Sequence, residues 1–144
     1  MKKILIIIGI LLVAFSVWHY TRDPLGVKLT IGSHQFTVEL AVTEAEKEKG
    51  LGYRDSLGAS AGMLFVYDHP EVYQYWMKGM RFPLDFIWIN GKTIVDLTKN
   101  VPVSSDGTYA VYQPKTPADK VLEVNAGTVD ADGIRRGDSV KISF

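Results

Sequence analysis

The 144-residue chain contains no cysteine. Disulfides and thiolate chemistry are therefore excluded, and so is the acylated Cys that a lipoprotein carries after its apolar leader. Histidine is scarce. His19, His34 and His69 are scattered, with none of the spacings of a zinc site, and the Asp-rich pattern of a calcium loop is absent. Glycine-rich phosphate loops and the GxSxG nucleophile elbow are missing as well. A surplus of charge is also lacking, since 16 basic residues face 16 acidic ones. Setting Lys2 and Lys3 aside leaves 14 against 16, a net of −2, which gives nucleic acid no electrostatic footing. The expectation is a protein without metal, cofactor or nucleic-acid partner. No internal repeat or low-complexity tract is visible.

One long hydrophobic run is present. Met1-Lys2-Lys3 precedes Ile4 to Val17, apolar or small throughout, and Trp18-His19-Tyr20-Thr21 follows. A positive start before an apolar stretch is the layout of a secretory signal or a signal anchor. As a helix, Ile4 to Thr21 would span about 27 Å at roughly 1.5 Å per residue, close to a hydrocarbon core of about 30 Å. Trp18 and Tyr20 would sit at the far interface and the lysines on the cytoplasmic side. Ala14-Phe15-Ser16 offers a cleavage site, but it abuts the run directly. The reading is an uncleaved anchor over residues 1–21, inserted in the membrane through residues 4–21, with a secreted protein as the alternative. Residues 22–26 form a linker broken by Pro24 and Gly26, and residues 27–144 form one domain outside the cytoplasm.

That domain reads as mostly β. Val27, Leu29 and Ile31 alternate with polar residues, Gly32-Ser33 suits a two-residue turn, and Phe36, Val38 and Leu40 alternate on the return. Thr43-Glu44-Ala45-Glu46 is a capping box for one short helix, with Gly50 as its left-handed C-terminal cap. Further strands are expected at 63–67, 73–77, 84–89, 92–97, 109–112, 121–124 and 139–144, with Asn90-Gly91 as a type I′ hairpin turn. Many short strands with Gly- and Pro-rich turns and one clear helix predict a small antiparallel β-barrel or sandwich-like domain, of α+β type.

The stretch Trp76 to Asn90, WMKGMRFPLDFIWIN, mixes aromatics with Lys78, Arg81 and Asp85. Pure core would exclude the charges and a solvated loop would exclude the aromatics, so the run lines a cleft, an interface or a barrel mouth. Asp85 shares a strand face with Ile87 and Ile89. A carboxylate there needs a partner, and Lys78, Arg81 or Arg54 is expected to provide it, or backbone amides to clamp it. Glu123 sits where neither strand face is plainly exposed. The candidate ligand-binding residues are Tyr53, Arg54, Trp76, Lys78, Asp85 and Glu123.

Four ordered segments, GLGYRDSL from Gly50, GMLFV from Gly62, WMKGMRFPLD from Trp76, and VLEVNAG from Val121 with Gly137-Asp138, resemble the family called domain of unknown function 192. The resemblance implies a compact, mostly β domain and no particular activity. This chain departs from the usual pattern at Gly52, where Met is common, and at Gly79-Met80, where the family commonly has Asn-Thr. A mechanism needing that Asn or Thr side chain would lack it here.

A mixed aromatic and charged lining without a complete catalytic constellation points to a membrane-tethered binding or accessory domain for a glycan or peptide, rather than an enzyme. The alternatives are a cell-envelope glycan hydrolase using Asp85 and Glu123 as its carboxyl pair, and a structural partner of an envelope protein. The tether is testable by itself. Protease added outside spheroplasts should digest the domain while the first residues stay protected. Full-length protein in the soluble cytosolic fraction would refute the anchor.

Overall fold

The computed structural model describes residues 26–143, so the expected anchor and most of the linker lie outside the described residues. Seven strands and two short helices follow in order: β1 (Val27–Ile31), β2 (His34–Ala41), α1 (Glu44–Lys49), β3 (Ala61–Glu71), β4 (Leu84–Asn90), β5 (Thr93–Val101), β6 (Ala118–Asn125), α2 (Thr128–Ala131) and β7 (Val140–Ser143). All seven strands form one curled sheet in the order β5-β4-β6-β3-β2-β1-β7. The edges approach each other where Ile94 donates to the Asp138 carbonyl at 3.0 Å and Val140 donates to the Lys92 carbonyl at 2.8 Å.

The fold is mostly β as expected, with specific differences. One neighbouring pair, β2 and β3, is parallel, because α1 and its loop carry the chain back across the sheet before it re-enters; antiparallel neighbours need only a hairpin. Segments 73–77 and 109–112 form no strand. Each keeps a single bridge, Tyr75 to Tyr112, since their task is to cover a sheet rather than extend it. A second helical turn, α2, was not legible from periodicity at four residues.

Turn chemistry explains the local shape. The capping box is present, with Thr43 accepting from the Glu46 amide and Glu46 accepting in return from the Thr43 amide. Gly50 has positive φ, but its ψ of −138° takes it out of the left-handed helical region. The β4–β5 hairpin pairs Asn90 with Thr93, so Gly91-Lys92 is the turn. Only Gly91 has positive φ there, +60°, which makes it a II′-type turn rather than I′.

Alternation along β3, β4 and β6 sends side chains into two cores. On the inner face, Leu29, Phe36, Leu64, Ile87, Ile94, Leu122 and Val140 bring together one residue from each strand. On the outer face, Phe65, Phe86, Trp88 and Val121 pack beneath Tyr75, Met77 and Met80 from the β3–β4 connection. Hence β4 is buried at every position but its last.

Asp85 lies fully buried on the inner face. The expected cation is not its partner. Arg54 pairs with Glu39 and Arg81 with Asp55, while Asp85 accepts from the backbone amides of Asn100 at 2.7 Å and Val129 at 2.9 Å. The second bond satisfies an otherwise free amide in the first turn of α2, whose own cap, Gly127, supplies no side chain. Charged acceptors suit that position. Asp85→Ala would strand the buried Val129 amide and the part-buried Asn100 amide, each costing about 1–3 kcal/mol, with the second at the lower end. The expected loss is about 2–5 kcal/mol by chemical denaturation, and a variant as stable as wild type would contradict the clamp.

Candidate functional site

The residues after α1 turn back so that Leu51 enters the outer core and Tyr53 does not. The Tyr53 amide donates to the Gly79 carbonyl at 2.8 Å. This pairing holds Tyr53 at φ +66°, a conformation that costs a non-glycine residue energy. The Tyr53 ring lies over Gly79, where a Cβ would come within 2.9 Å of the ring. Gly79 itself has φ +72°. Asn, the residue common in the resembling family, would tolerate that φ, but its side chain would collide with this tyrosine. Gly79 and Tyr53 therefore fit each other.

Between this corner and β6 lies a cleft of about 90 Å³. Its walls include Lys47, Lys49, Leu51, Phe65, Tyr67, Gln74, Tyr75, Trp76, Lys78 and Met80, and Glu123 faces into it. A larger recess of about 250 Å³ adjoins it, lined by Ala45, Glu48, Lys49, Tyr53, Trp76 and Lys78. Trp76 and Tyr53 are 53% and 66% exposed, which is unusual for large aromatics unless they present a surface.

Glu123 is the outlier of the site. It is 5% exposed, and no hydrogen bond to its carboxyl comes from any described residue. It points to the outer face beside Phe86, next to a hydroxyl pair formed by Tyr67 and Tyr75 at 2.8 Å. Burial without a compensating donor pushes its carboxyl up to about 8, so the group is protonated at neutral pH. The same burial raises the Tyr75 and Tyr67 phenols. Lys47 stands 4.4 Å over the Tyr67 ring, a cation–π contact at the rim.

Of the six residues expected from sequence, Trp76, Lys78 and Glu123 meet in the cleft, and Tyr53 joins Trp76 and Lys78 in the recess. Arg54 is not a free determinant. Its guanidinium forks onto Glu39 at 2.6 and 2.8 Å and holds that carboxyl below its usual range. Asp85 is also elsewhere. Asp85 pairs in register with Val124 and Phe86 with Glu123, so the two carboxyls project from opposite faces of the sheet. They form no catalytic pair, which removes the hydrolase reading built on them. Sequence reasoning missed Tyr67 and Tyr75. Their signal was two tyrosines flanking a short return of chain, each needing a polar partner once half-buried.

The model of the family domain of unknown function 192, described as an uncharacterised ACR, matches residues 27–142. No curated protein matches the chain. Two solved structures are similar. One is a candidate transcription regulator from Sinorhizobium meliloti 1021, 35% identical over 81% of this chain and 91% of that one, with a TM-score of 0.73. The other, from Novosphingobium aromaticivorans and of unknown function, is 35% identical over 81% and 83%, with a TM-score of 0.69.

Titration of Glu123 predicts a pH profile of stability. The unfolded carboxyl ionises near its ordinary 4.5, whereas the folded one holds its proton to about 8. The contribution of Glu123 to stability is therefore greatest below pH 4.5, falls as pH rises through that window, and levels off above 8. The loss by pH 7 is about 2–4 kcal/mol at 1.36 kcal/mol per unit. Denaturation curves of Glu123→Gln should lack this slope. An identical slope in the variant would assign it to other groups.

Proposed function

The chain belongs to the family of domain of unknown function 192, and we propose that in this member the cleft around Glu123 is a binding site for a small polar group of a ligand. The observation that carries this reading is a carboxyl on a residue only 5% exposed, with no hydrogen bond from any described residue and its oxygens open to the cleft. No sealed side-chain polar atom among the described residues lacks a partner, so the Glu123 oxygens keep their access to the cleft, and a ligand or water there completes their hydrogen bonding. Protonated, Glu123 is a donor, so the complementary group is an acceptor oxygen. Tyr67 and Tyr75 add hydroxyls beside it, and Trp76 and Tyr53 supply aromatic surface outside.

Residues 4–21, read as an anchor, would hold this site at the outer face of the cell membrane, where glycans and peptides are the available ligands. Regulation of transcription, the role named for one relative, is less well supported. Apart from Lys2 and Lys3 the chain has 14 basic and 16 acidic residues, with no basic surplus to hold phosphates.

A thermal-shift screen of cell-envelope sugars, peptides and small metabolites tests the reading. A ligand at about 100 times its Kd adds about 2.7 kcal/mol, which raises the melting temperature of a domain this size by roughly 10 °C. The shift should vanish in Glu123→Leu, which fills the cleft without a donor. A screen in which nothing moves the wild-type transition would end the binding-site interpretation.

A further inference from the structure

Resting on that reading, the geometry points to an N-acetylated amino sugar as the ligand: the pyranose ring against Trp76 in the outer recess, and its acetamido group in the deep cleft on Glu123. Size separates the two compartments. The deep cleft, about 90 Å³, holds about three waters at roughly 30 Å³ each. That is room for a substituent of a few heavy atoms and too little for a sugar ring. The recess of about 250 Å³ is the ring-sized space. They share the walls Glu48, Lys49, Trp76 and Lys78, so one ligand reaches both.

Chemistry assigns the group to each compartment. The cleft is mostly polar, and it combines a protonated carboxyl with a small apolar patch at Leu51, Phe65 and Met80. An acetamido group matches that pairing, with a carbonyl oxygen to accept from the Glu123 hydroxyl and a methyl to bury. A bare hydroxyl would leave the apolar wall uncovered, and a carboxylate would face a buried acid. In the recess, an exposed indole offers a flat apolar face to the C–H bonds of a pyranose, with Lys78 and Glu48 able to reach its hydroxyls. The strained Tyr53, kept exposed over Gly79, extends the same surface.

Isothermal titration calorimetry on the full-length protein in detergent micelles tests this with three probes: a tetramer of N-acetylglucosamine, a tetramer of glucose, and an N-acetylated tripeptide. The acetylated sugar should bind, with the glucose tetramer at least tenfold weaker. Trp76→Ala should weaken binding at least tenfold, while Trp76→Phe keeps most of it. Between pH 7 and 9.5 the wild type should lose affinity as Glu123 ionises, whereas Glu123→Gln, which retains a donor, should hold its affinity. Lys47, Lys49, Lys78, Glu48, Tyr67 and Tyr75 face the same cleft in both proteins, so the variant corrects for them. Equal binding of the two tetramers, or indifference to Trp76→Ala, would overturn the assignment. Glu123-dependent binding of the tripeptide without the sugar would overturn it too, yet leave the cleft as a binding site. Silence from all three probes in the calorimeter overturns the sugar assignment, and only a silent thermal-shift screen removes the site as well.

Discussion

Burial of β4 and β6 on both faces is the constraint from which the rest of the structure follows. A seven-stranded sheet of this length curls around one core, and every strand contributes to it. That would leave Phe86, Trp88 and Val121 projecting outward. Apolar side chains of that size cannot be left in water without losing roughly 1.5–3 kcal/mol each. The chain covers them with the connection between β3 and β4, bringing Tyr75, Met77 and Met80 onto the outer face. The cover is short and irregular, and the space it leaves at its margin is the cleft.

The same double burial governs the acids. Asp85 and Glu123 stand on neighbouring strands, one residue out of register, and meet opposite environments. The inner face gives Asp85 two backbone amides, so its carboxyl ties the end of β5 to the start of α2. Asp96 works similarly, accepting from the Leu97 and Lys115 amides. Glu123 has aromatic neighbours and no such donor, and its proton is retained instead. One carboxylate has become part of the backbone hydrogen bonding and the other remains chemically available. Position relative to the pleat, rather than residue type, separates the two roles.

Around the cleft, local backbone geometry and packing fit each other closely. Gly79 makes space for the Tyr53 ring, the Tyr53 amide pairs with the Gly79 carbonyl, and Arg81 ties the following loop to Asp55. The family resemblance places Asn-Thr where this chain has Gly79-Met80. Here the polar pair is replaced by an uncovered backbone under an aromatic ring and by a methionine in the outer core. Relatives with the Asn side chain would present a different rim above a similar sheet.

Period-two alternation, the capping box and the Gly32-Ser33 turn were enough to establish a mostly β domain with α1 in place, because each is a local preference between neighbouring residues. The same locality let the sequence single out Trp76, Lys78 and Glu123. What the sequence could not decide depended on contacts far along the chain. Whether segments 73–77 and 109–112 were strands or covers was set by an outer core that no local pattern reveals. The parallel pairing of β2 with β3 was set by the path of an intervening loop. Asp85 looked like half of an ion pair because cations lie near it in sequence, but its partners are amides 15 and 44 residues away. Arg54 was expected to pair with Asp85 or meet a ligand and is held by Glu39, 15 residues earlier. Side-chain polarity is written residue by residue, whereas the partner that satisfies it is chosen only when the sheet closes.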